Sequence, residues 1–390
     1  MAGVKSVVFV SNYFNHHQKF LADELFKILG DGYRFIATKR MNSERMALGW
    51  QQYQPEYAMC SYESDESYQQ CMEKINAADV VIVGAAPETM VRQRIQNGGL
   101  TFRYSERLLK KGPELKKFLY RYVKFHRNNP RNKPVYLLCA SAYTAADYAR
   151  FGLFKNRAFK WGYFTEAKKY ESIEGLISKK DANEILWCGR FLKLKHLEHA
   201  VQAVAKLLKD GYPCKLKIIG SGEEEANIKA QIEELGVAQN VTFIGNVSSD
   251  KVREHMEKAG VFLFTSDFNE GWGAVLNESM NSGCAVVASH AIGAAPFLIE
   301  DGKNGLLYES GNVDHLYQKI KNLLDDKKQQ AALGRAAYET IVDFWNPRFA
   351  AQRFLLLSES ILNGETETFE RGPCSKAELL RNNWYSAEQK

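Results

Sequence analysis

Short runs rich in Val, Ile and Leu recur along the chain, each followed by a longer segment of helical period. No other feature constrains the fold as strongly. Residues 6–10, 33–37, 80–83 and 135–138 form one set of such runs, and residues 184–188, 216–219, 241–243, 261–264 and 285–288 form a second. Apolar on both faces and separated by helix-length segments, they read as parallel strands covered by helices rather than as half-solvated hairpins. Between the first two runs, Leu21, Leu25, Ile28 and Leu29 fall on one helical face over residues 17–29, and Gly30 stops it. The predicted fold class is therefore α/β, with two doubly wound units in tandem.

At 390 residues the chain is too long for one small core and suits two. We place the first domain at residues 1–165 and the second at 166–346. The weakly periodic stretch 163–183 forms the junction. A helix over 347–362, opened by Pro347, is expected to return to the first domain, followed by a loosely attached polar tail to 390 with a further helix around 376–381. The longest apolar runs fall well short of the roughly 20 residues that span a bilayer, and residues 1–5 lead straight into a strand. We expect a cytoplasmic protein. Seven cysteines without a C-x-x-C spacing suit reduced, buried thiols better than a disulfide framework or a zinc site. The formal charge of +6 is unevenly spread: residues 91–134 hold thirteen Lys or Arg against two acids.

In open parallel sheets, ligands bind beyond the carboxyl ends of the strands. The most informative segment there is 264–283, FTSDFNEGWGAVLNESMNSG. A strand ends, a polar loop holds Glu270, Gly271, Trp272 and Gly273, and a helix opens near Gly273 with Glu278 on its inner face. Such glycines let backbone amides approach an anion. Upstream, the run 184–188 leads into Gly189, Arg190 and Lys195, two cations suited to a diphosphate, the arginine as a fork and the lysine as a mobile point charge. Four further elements pairing a strand with a glycine loop follow: Gly220 with Gly222, then Gly245, Asn246 and Val247, then the run 286–288 leading to Gly293, then Gly302 with Gly305.

The order and spacing of these signatures over residues 184–345 resemble the carboxy-terminal domain of family 4 glycosyltransferases, retaining enzymes of the GT-B fold. The resemblance implies two Rossmann-like domains facing each other across a cleft, the second binding a nucleotide-sugar and the first an acceptor. It implies that Arg190 and Lys195 hold the donor diphosphate, helped by Gly189, Gly220, Gly222 and the amides of Gly271, Trp272, Gly273 and Ala274. It further implies that Glu278 meets the ribose hydroxyls, Glu270 the transferred sugar, and Gly245, Asn246 and Val247 the base. Arg190, Lys195 and Glu270 form the catalytic set. The expected donor is a UDP-sugar, with GDP next. The expected acceptor is a saccharide or lipid-linked saccharide of bacterial capsule, exopolysaccharide or envelope synthesis. No D-x-D occurs in the chain, so we expect metal-independent transfer without a cofactor.

The chain departs from the family pattern twice. The loop after the first strand carries Asn12, Asn15, His16 and His17 where adjacent glycines are usual, making these candidates for contact with an acceptor or phosphate, or a capped helix start with solvated imidazoles. His196 follows Lys195 in place of a glycine. His196 and His199 share a helical face, but no third metal ligand is evident. Ser141, Tyr143 and Asp147 follow the run 135–138 and either line the cleft or cap a helix. Over 103–127, cations interleave with Phe118, Leu119, Tyr122 and Phe125. That pattern suits peripheral contact with an anionic membrane, on its cytoplasmic face, as well as aromatic packing into the first domain. No nucleic-acid-binding module accompanies the cations. Two rival classes are a non-catalytic two-lobed sugar or nucleotide binding protein, which would not need the set Arg190, Lys195 and Glu278, and a GT-B epimerase or phosphorylase, for which no catalytic histidine and carboxylate set or cofactor lysine is seen.

Overall fold

The computed structural model describes residues 3–42, 53–110, 112, 115–365 and 369–389; Lys111 and Glu114 of the basic stretch and residues 366–368 of the tail lie outside them. The chain forms two compact units. One comprises residues Met1–Thr165 and Asn346–Leu380, the other Glu166–Trp345 and Arg381–Lys390.

The first unit is built on strands β1 (Val7–Ser11), β2 (Tyr33–Ala37), β3 (Ala58–Cys60), β4 (Val80–Val83), β5 (Leu100–Ser105), β6 (Val135–Cys139) and β7 (Ala158–Lys160), in the order β3-β2-β1-β4-β5-β6-β7. Every pairing is parallel. Both faces of β1 and β4 are buried, as their unbroken Val and Ile runs require. Helix Pro347–Leu362 belongs to this unit, with Phe354 edge-on to Phe102 at 5.0 Å. Strands β3, β5 and β7 escaped the sequence reading. β3 and β7 are three residues long, and β5 carries buried Thr101 and Arg103 among its apolar positions.

The second unit contains β8 (Asp181–Cys188), β9 (Lys215–Ile219), β10 (Val241–Gly245), β11 (Ala259–Phe264), β12 (Ala285–Ser289) and β13 (Leu306–Tyr308), ordered β10-β9-β8-β11-β12-β13 and again all parallel. Helix Leu197–Lys209 covers one face, burying Leu197, Ala200, Val201, Val204 and Leu207 at the i, i+3, i+4, i+7 spacing of an amphipathic helix.

The tail departs from expectation in two ways. Residues 376–381 form no helix: Lys376 bridges Phe159 in antiparallel fashion and the Ala377 amide donates to the Ala158 carbonyl at 3.0 Å, so the segment pairs with the edge of β7. Nor is the chain end loosely held. Tyr385 stacks on His290 at 5.3 Å and donates its hydroxyl to the Leu307 carbonyl at 2.7 Å, joining residues 381–390 to the second unit. An aromatic ring with a polar tip outweighs the polar composition around it.

The basic stretch is divided by burial. Arg94 is 3% exposed and donates to the carbonyls of Ile75, Ala78, Asp79 and Leu100 at 2.6 to 2.9 Å. Desolvation pulls its pKa down to about 10, and it remains a cation that ties helix Asp65–Ala77 to β5. Arg103 forks onto Glu88 at 2.8 and 3.1 Å, and Arg107 pairs with buried Asp147 at 3.3 Å while lying over the Tyr143 ring. Arg103, Arg107, Tyr143 and Asp147 are therefore framework rather than contact groups. Replacing Arg94 with methionine strips four buried carbonyls of their donor, and we expect a loss of about 3 kcal/mol in stability, read from the urea midpoint.

Candidate functional site

Chain order decides where a site forms in the second sheet. From β8 the strands run outward through β9 to β10, and the chain then returns to lay β11, β12 and β13 on the other side of β8. The loops after β8 and β11 therefore leave in opposite senses, opening a crevice at the carboxyl edge between them. Arg190 and Lys195 lie on the first loop and Glu270 on the second.

These loops are bolted together. Trp187, at the end of β8, donates its indole N–H to the Thr265 hydroxyl at 2.9 Å, and Thr265 donates to the Lys195 carbonyl at 2.6 Å. The Asp267 amide donates to the Leu194 carbonyl at 3.0 Å. The Lys195 ammonium donates to Glu270 Oε2, which also accepts from the Ser266 hydroxyl at 2.9 Å. Lys195 further lies 5.3 Å above the Phe264 ring. Arg190, one loop position beyond Gly189, is exposed and forms no ion pair among the described residues. Glu278 stands in the first turn of helix Val275–Asn281, and its carboxyl accepts no hydrogen bond from the described residues. Burial pushes its pKa up to about 7. The Cys188 thiol, raised to about 12 chiefly by burial, feels the charges of both Glu278 and Lys195, which fixes those two groups around one strand end.

The glycines divide by role. Gly220 and Gly222 pack against the loop that carries Arg190: a Cβ on Gly220 would lie 2.0 Å from the Gly189 carbonyl oxygen, and one on Gly222 would lie 2.6 Å from that of Phe191. They support the cation loop. Gly273, at φ +91°, lets the chain pass close over Phe264, where a Cβ would lie 2.5 Å from the ring. Its neighbour Trp272 points inward, 1% exposed, donating to Asn277 Oδ1 at 2.8 Å and packing on Trp345. Its side chain is core, so only backbone from Gly271 to Ala274 faces the loop. Gly245 stands clear of neighbours at the end of β10, with Asn246 donating to Ser221 Oγ at 2.7 Å and Val247 exposed.

His196 takes the left-handed conformation, φ 48° and ψ 47°, that a glycine would adopt without strain. Two carboxylates hold it there: Nε2 meets Asp267 at 3.4 Å and Nδ1 meets Glu198 at 2.7 Å. Asp267 foremost, then Glu198, raise its pKa to about 9, so the imidazole is a cation beside Lys195. Glu198 also supplies the third ligand type not evident from the histidine pair alone: one atom each of His196, Glu198 and His199 lie within 4.8 Å of one another. The two imidazoles are stacked, however, 4.7 Å apart and 5° from parallel, so their in-plane lone pairs run side by side rather than converging on one ion. Sequence reasoning missed Thr265 and Asp267, whose partners Lys195 and His196 lie some 70 positions away, and Ser266 and Glu198, ordinary polar residues whose nearby partners Glu270 and His196 are met only in the folded loops.

In the first unit the corresponding crossover lies between β1 and β4. Asn15 caps helix His16–Leu29, its Oδ1 accepting from the His17 amide at 2.9 Å. Asn12 ties the β1 loop to the end of β2, its carbonyl accepting from Thr38 and Lys39. The capped-helix alternative thus holds for Asn15. His16 and His17 lie ring against ring at 4.0 Å, and His17 stacks on Tyr163. Burial lowers the His16 pKa.

Residues 169–340 match the family described as glycosyl transferases group 1. That match lies within the second unit. Among curated relatives, the poly(glycerol-phosphate) alpha-glucosyltransferase of Bacillus subtilis is 31% identical over 184 residues, 47% of this chain and 27% of that protein. The lipopolysaccharide core biosynthesis glycosyltransferase LpsE of Rhizobium meliloti is 29% identical over 180 residues, 46% of this chain and 51% of that one. The matched regions thus span only about a quarter to a half of those relatives. Among solved structures, Anabaena HepE in complex with UDP aligns at a TM-score of 0.65 with 14% identity, covering 92% of this chain and 98% of its own. WaaG, a glycosyltransferase involved in lipopolysaccharide biosynthesis, aligns at 0.61 with 18% identity, covering 92% and 100%. The fold of the chain is accordingly GT-B, a pair of Rossmann-like α/β domains.

Because the folded pKa of His196 lies above the ordinary 6.5, its contribution to stability is complete below pH 6.5 and disappears as pH rises through about 9. The stability gap between the native chain and His196→Gln should follow that course in urea titrations at a series of pH values.

Proposed function

We propose that this chain is a retaining, metal-independent glycosyltransferase that moves a sugar from a nucleotide diphosphate donor, UDP-linked in the first instance, to a saccharide or lipid-linked acceptor of bacterial capsule, exopolysaccharide or envelope synthesis. The observation that carries the reading is the Lys195–Glu270 pair at the β8/β11 crevice, beside the uncompensated Arg190.

Departure of a nucleoside diphosphate concentrates negative charge on its outer oxygens. Fixed cations stabilise that charge most where they need no reorganisation. Lys195, held by Phe264 beneath it and by Glu270 beside it, is such a cation, and Arg190 adds a planar fork. Its pairing with Glu270 means that an arriving diphosphate competes with a carboxylate for the ammonium, which favours a doubly charged group over a neutral one. Glu270 is committed to Lys195 and Ser266, which supports the leaving phosphate, not a carboxylate, as the acceptor of the incoming hydroxyl proton; attack then comes from the face that the diphosphate leaves, with retention. The unpartnered Glu278 carboxylate suits the ribose hydroxyls, and the open backbone at Gly245 to Val247 suits the base. UDP is favoured because HepE and S. aureus TarM were both solved with it. GDP ranks second, given the GDP-mannose-dependent mannosyltransferase of Mycobacterium tuberculosis among the relatives. The first unit would bind the acceptor, with His16 and His17 at its β1/β4 crossover.

Membrane contact forms part of the proposal, narrowed from 103–127 to helix Leu115–Asn128 because Arg103 and Arg107 are buried. Leu119, Tyr120 and Val123 are exposed there by 73%, 68% and 60%, alongside exposed Lys116, Lys124 and Arg127. No helix among the described residues is long and apolar enough to cross a membrane. The helix would instead lie on the cytoplasmic leaflet, bringing the chain to a lipid-linked acceptor.

With a panel of UDP- and GDP-sugars, we expect nucleoside diphosphate release coupled to formation of a new glycoside. Lys195→Ala should lower turnover by roughly 10²- to 10³-fold, and Glu278→Ala should weaken donor binding by about 1–3 kcal/mol; unchanged turnover in the lysine variant sinks the assignment. In a sedimentation assay the chain should follow phosphatidylcholine vesicles that contain phosphatidylglycerol but not pure phosphatidylcholine, and Leu119→Ser with Val123→Ser should abolish the association.

A further inference from the structure

A cavity of the first unit lies away from that unit's β1/β4 crossover. It occupies about 740 Å³ of the first unit, bordered by Val135 and Ala158, the first residues of β6 and β7. It therefore opens at the amino edge of the sheet, opposite the carboxyl edge where Asn12 and His16 follow β1. That volume falls within the roughly 300–1,000 Å³ of small-molecule sites.

Its lining is chemically one-sided. Arg131, Lys155, Arg157 and Lys376 contribute to it, and no Asp or Glu does. Both arginines are positioned by backbone: Arg131 donates to the Gly152 carbonyl at 2.9 Å, and Arg157 to the Arg131 and Lys133 carbonyls at 3.1 and 2.8 Å. None of the four forms an ion pair with a described carboxylate. Glu378, the nearest acid in sequence to Lys376, pairs instead with Lys160 at 3.7 Å. Uncompensated cations around a low-dielectric concavity reinforce one another's field and raise the local concentration of anions.

Two more features distinguish the cavity from a surface gap. Phe154 and Asn156, in the loop that forms one wall, both hold positive φ, 56° and 59°. For a phenylalanine that backbone state is unfavourable and persists only where its surroundings impose it. The opposite wall comes from the distant tail, which pairs with β7 and so delivers Lys376 together with Leu379, 65% exposed at the rim. A large aliphatic side chain beside cations, like the Phe154 ring, offers contact to an apolar group rather than to a bare ion.

We propose that this cavity is a second ligand site, separate from the donor crevice, for a phosphate ester carrying an apolar arm: the phosphate among Arg131, Lys155, Arg157 and Lys376, the arm against Phe154 and Leu379. Such a group is presented either by a phospholipid in a membrane or by a soluble phosphorylated compound.

The test is calorimetric titration of the full chain with hexyl phosphate and with inorganic phosphate, followed by sedimentation with phosphatidylcholine vesicles containing phosphatidic acid. Lys155 and Lys376 are exposed and hold nothing in the fold, so Lys155→Gln with Lys376→Gln leaves the structure intact. Hexyl phosphate should bind more tightly than inorganic phosphate. The double variant should weaken both by about tenfold or more. Leu379→Ser should weaken hexyl phosphate alone. In the Leu119→Ser, Val123→Ser background, where helix Leu115–Asn128 no longer holds anionic vesicles, residual binding to phosphatidic acid vesicles that the double variant removes assigns the site to a lipid headgroup, and no residual binding assigns it to a soluble ester. Absence of hexyl phosphate binding, or equal affinity in the native chain and the double variant, overturns the proposal. Donor turnover is read separately, so its failure and the failure of this site are distinguishable.

Discussion

The ion pair between Lys195 and Glu270 exists because two loops that are some 70 residues apart leave neighbouring parallel strands at one edge. Either side chain alone on a protein surface would be a solvated charge of little consequence. Here the pair is mostly shielded, and the buried chain from Trp187 through Thr265 to the Lys195 carbonyl fixes the backbone beneath it. The second unit's glycines serve the same end. Gly220 and Gly222 allow the β9 loop to press on the loop of Arg190, and Gly273 allows the β11 loop to pass over Phe264. The crevice is a product of loop packing as much as of its charged residues.

His196 shows how a departure from the family pattern is absorbed. A glycine there would cost nothing in the left-handed conformation, whereas the histidine incurs a penalty of roughly 1–2 kcal/mol. Asp267 and Glu198 offset it by holding an imidazolium between them, and through Asp267 the same contact joins the β8 and β11 loops. The histidine thus exchanges backbone freedom for a charge-assisted clamp next to Lys195.

The basic stretch of the first unit has no single purpose. Arg94, Arg103 and Arg107 are interior struts whose charge is spent on carbonyls, Glu88 and Asp147, while helix Leu115–Asn128 carries its cations beside exposed aliphatic and aromatic side chains. Arg131 extends the series to the amino edge of β6. One composition therefore supports framework, helix face and cavity rim, and only burial separates them.

The amino-acid sequence by itself determined the alternation of strand and helix, the tandem pair of parallel sheets, the helix from Pro347 and the loops that carry Arg190, Lys195, Glu270 and Glu278, because those features are written in local periodicity, β-branched runs and glycine placement. It did not yield β3, β5 or β7, which are short or carry polar residues, and it gave no sign that the Trp272 ring belongs to the core. Tertiary structure alone decided that Lys195 meets Glu270, that Asp267 and Glu198 grip His196, and that the tail pairs with β7 while Tyr385 docks on His290. Apart from Glu198 beside His196, each of these joins residues far apart in the chain, and contacts of that kind form only once strand order has fixed which loops share an edge.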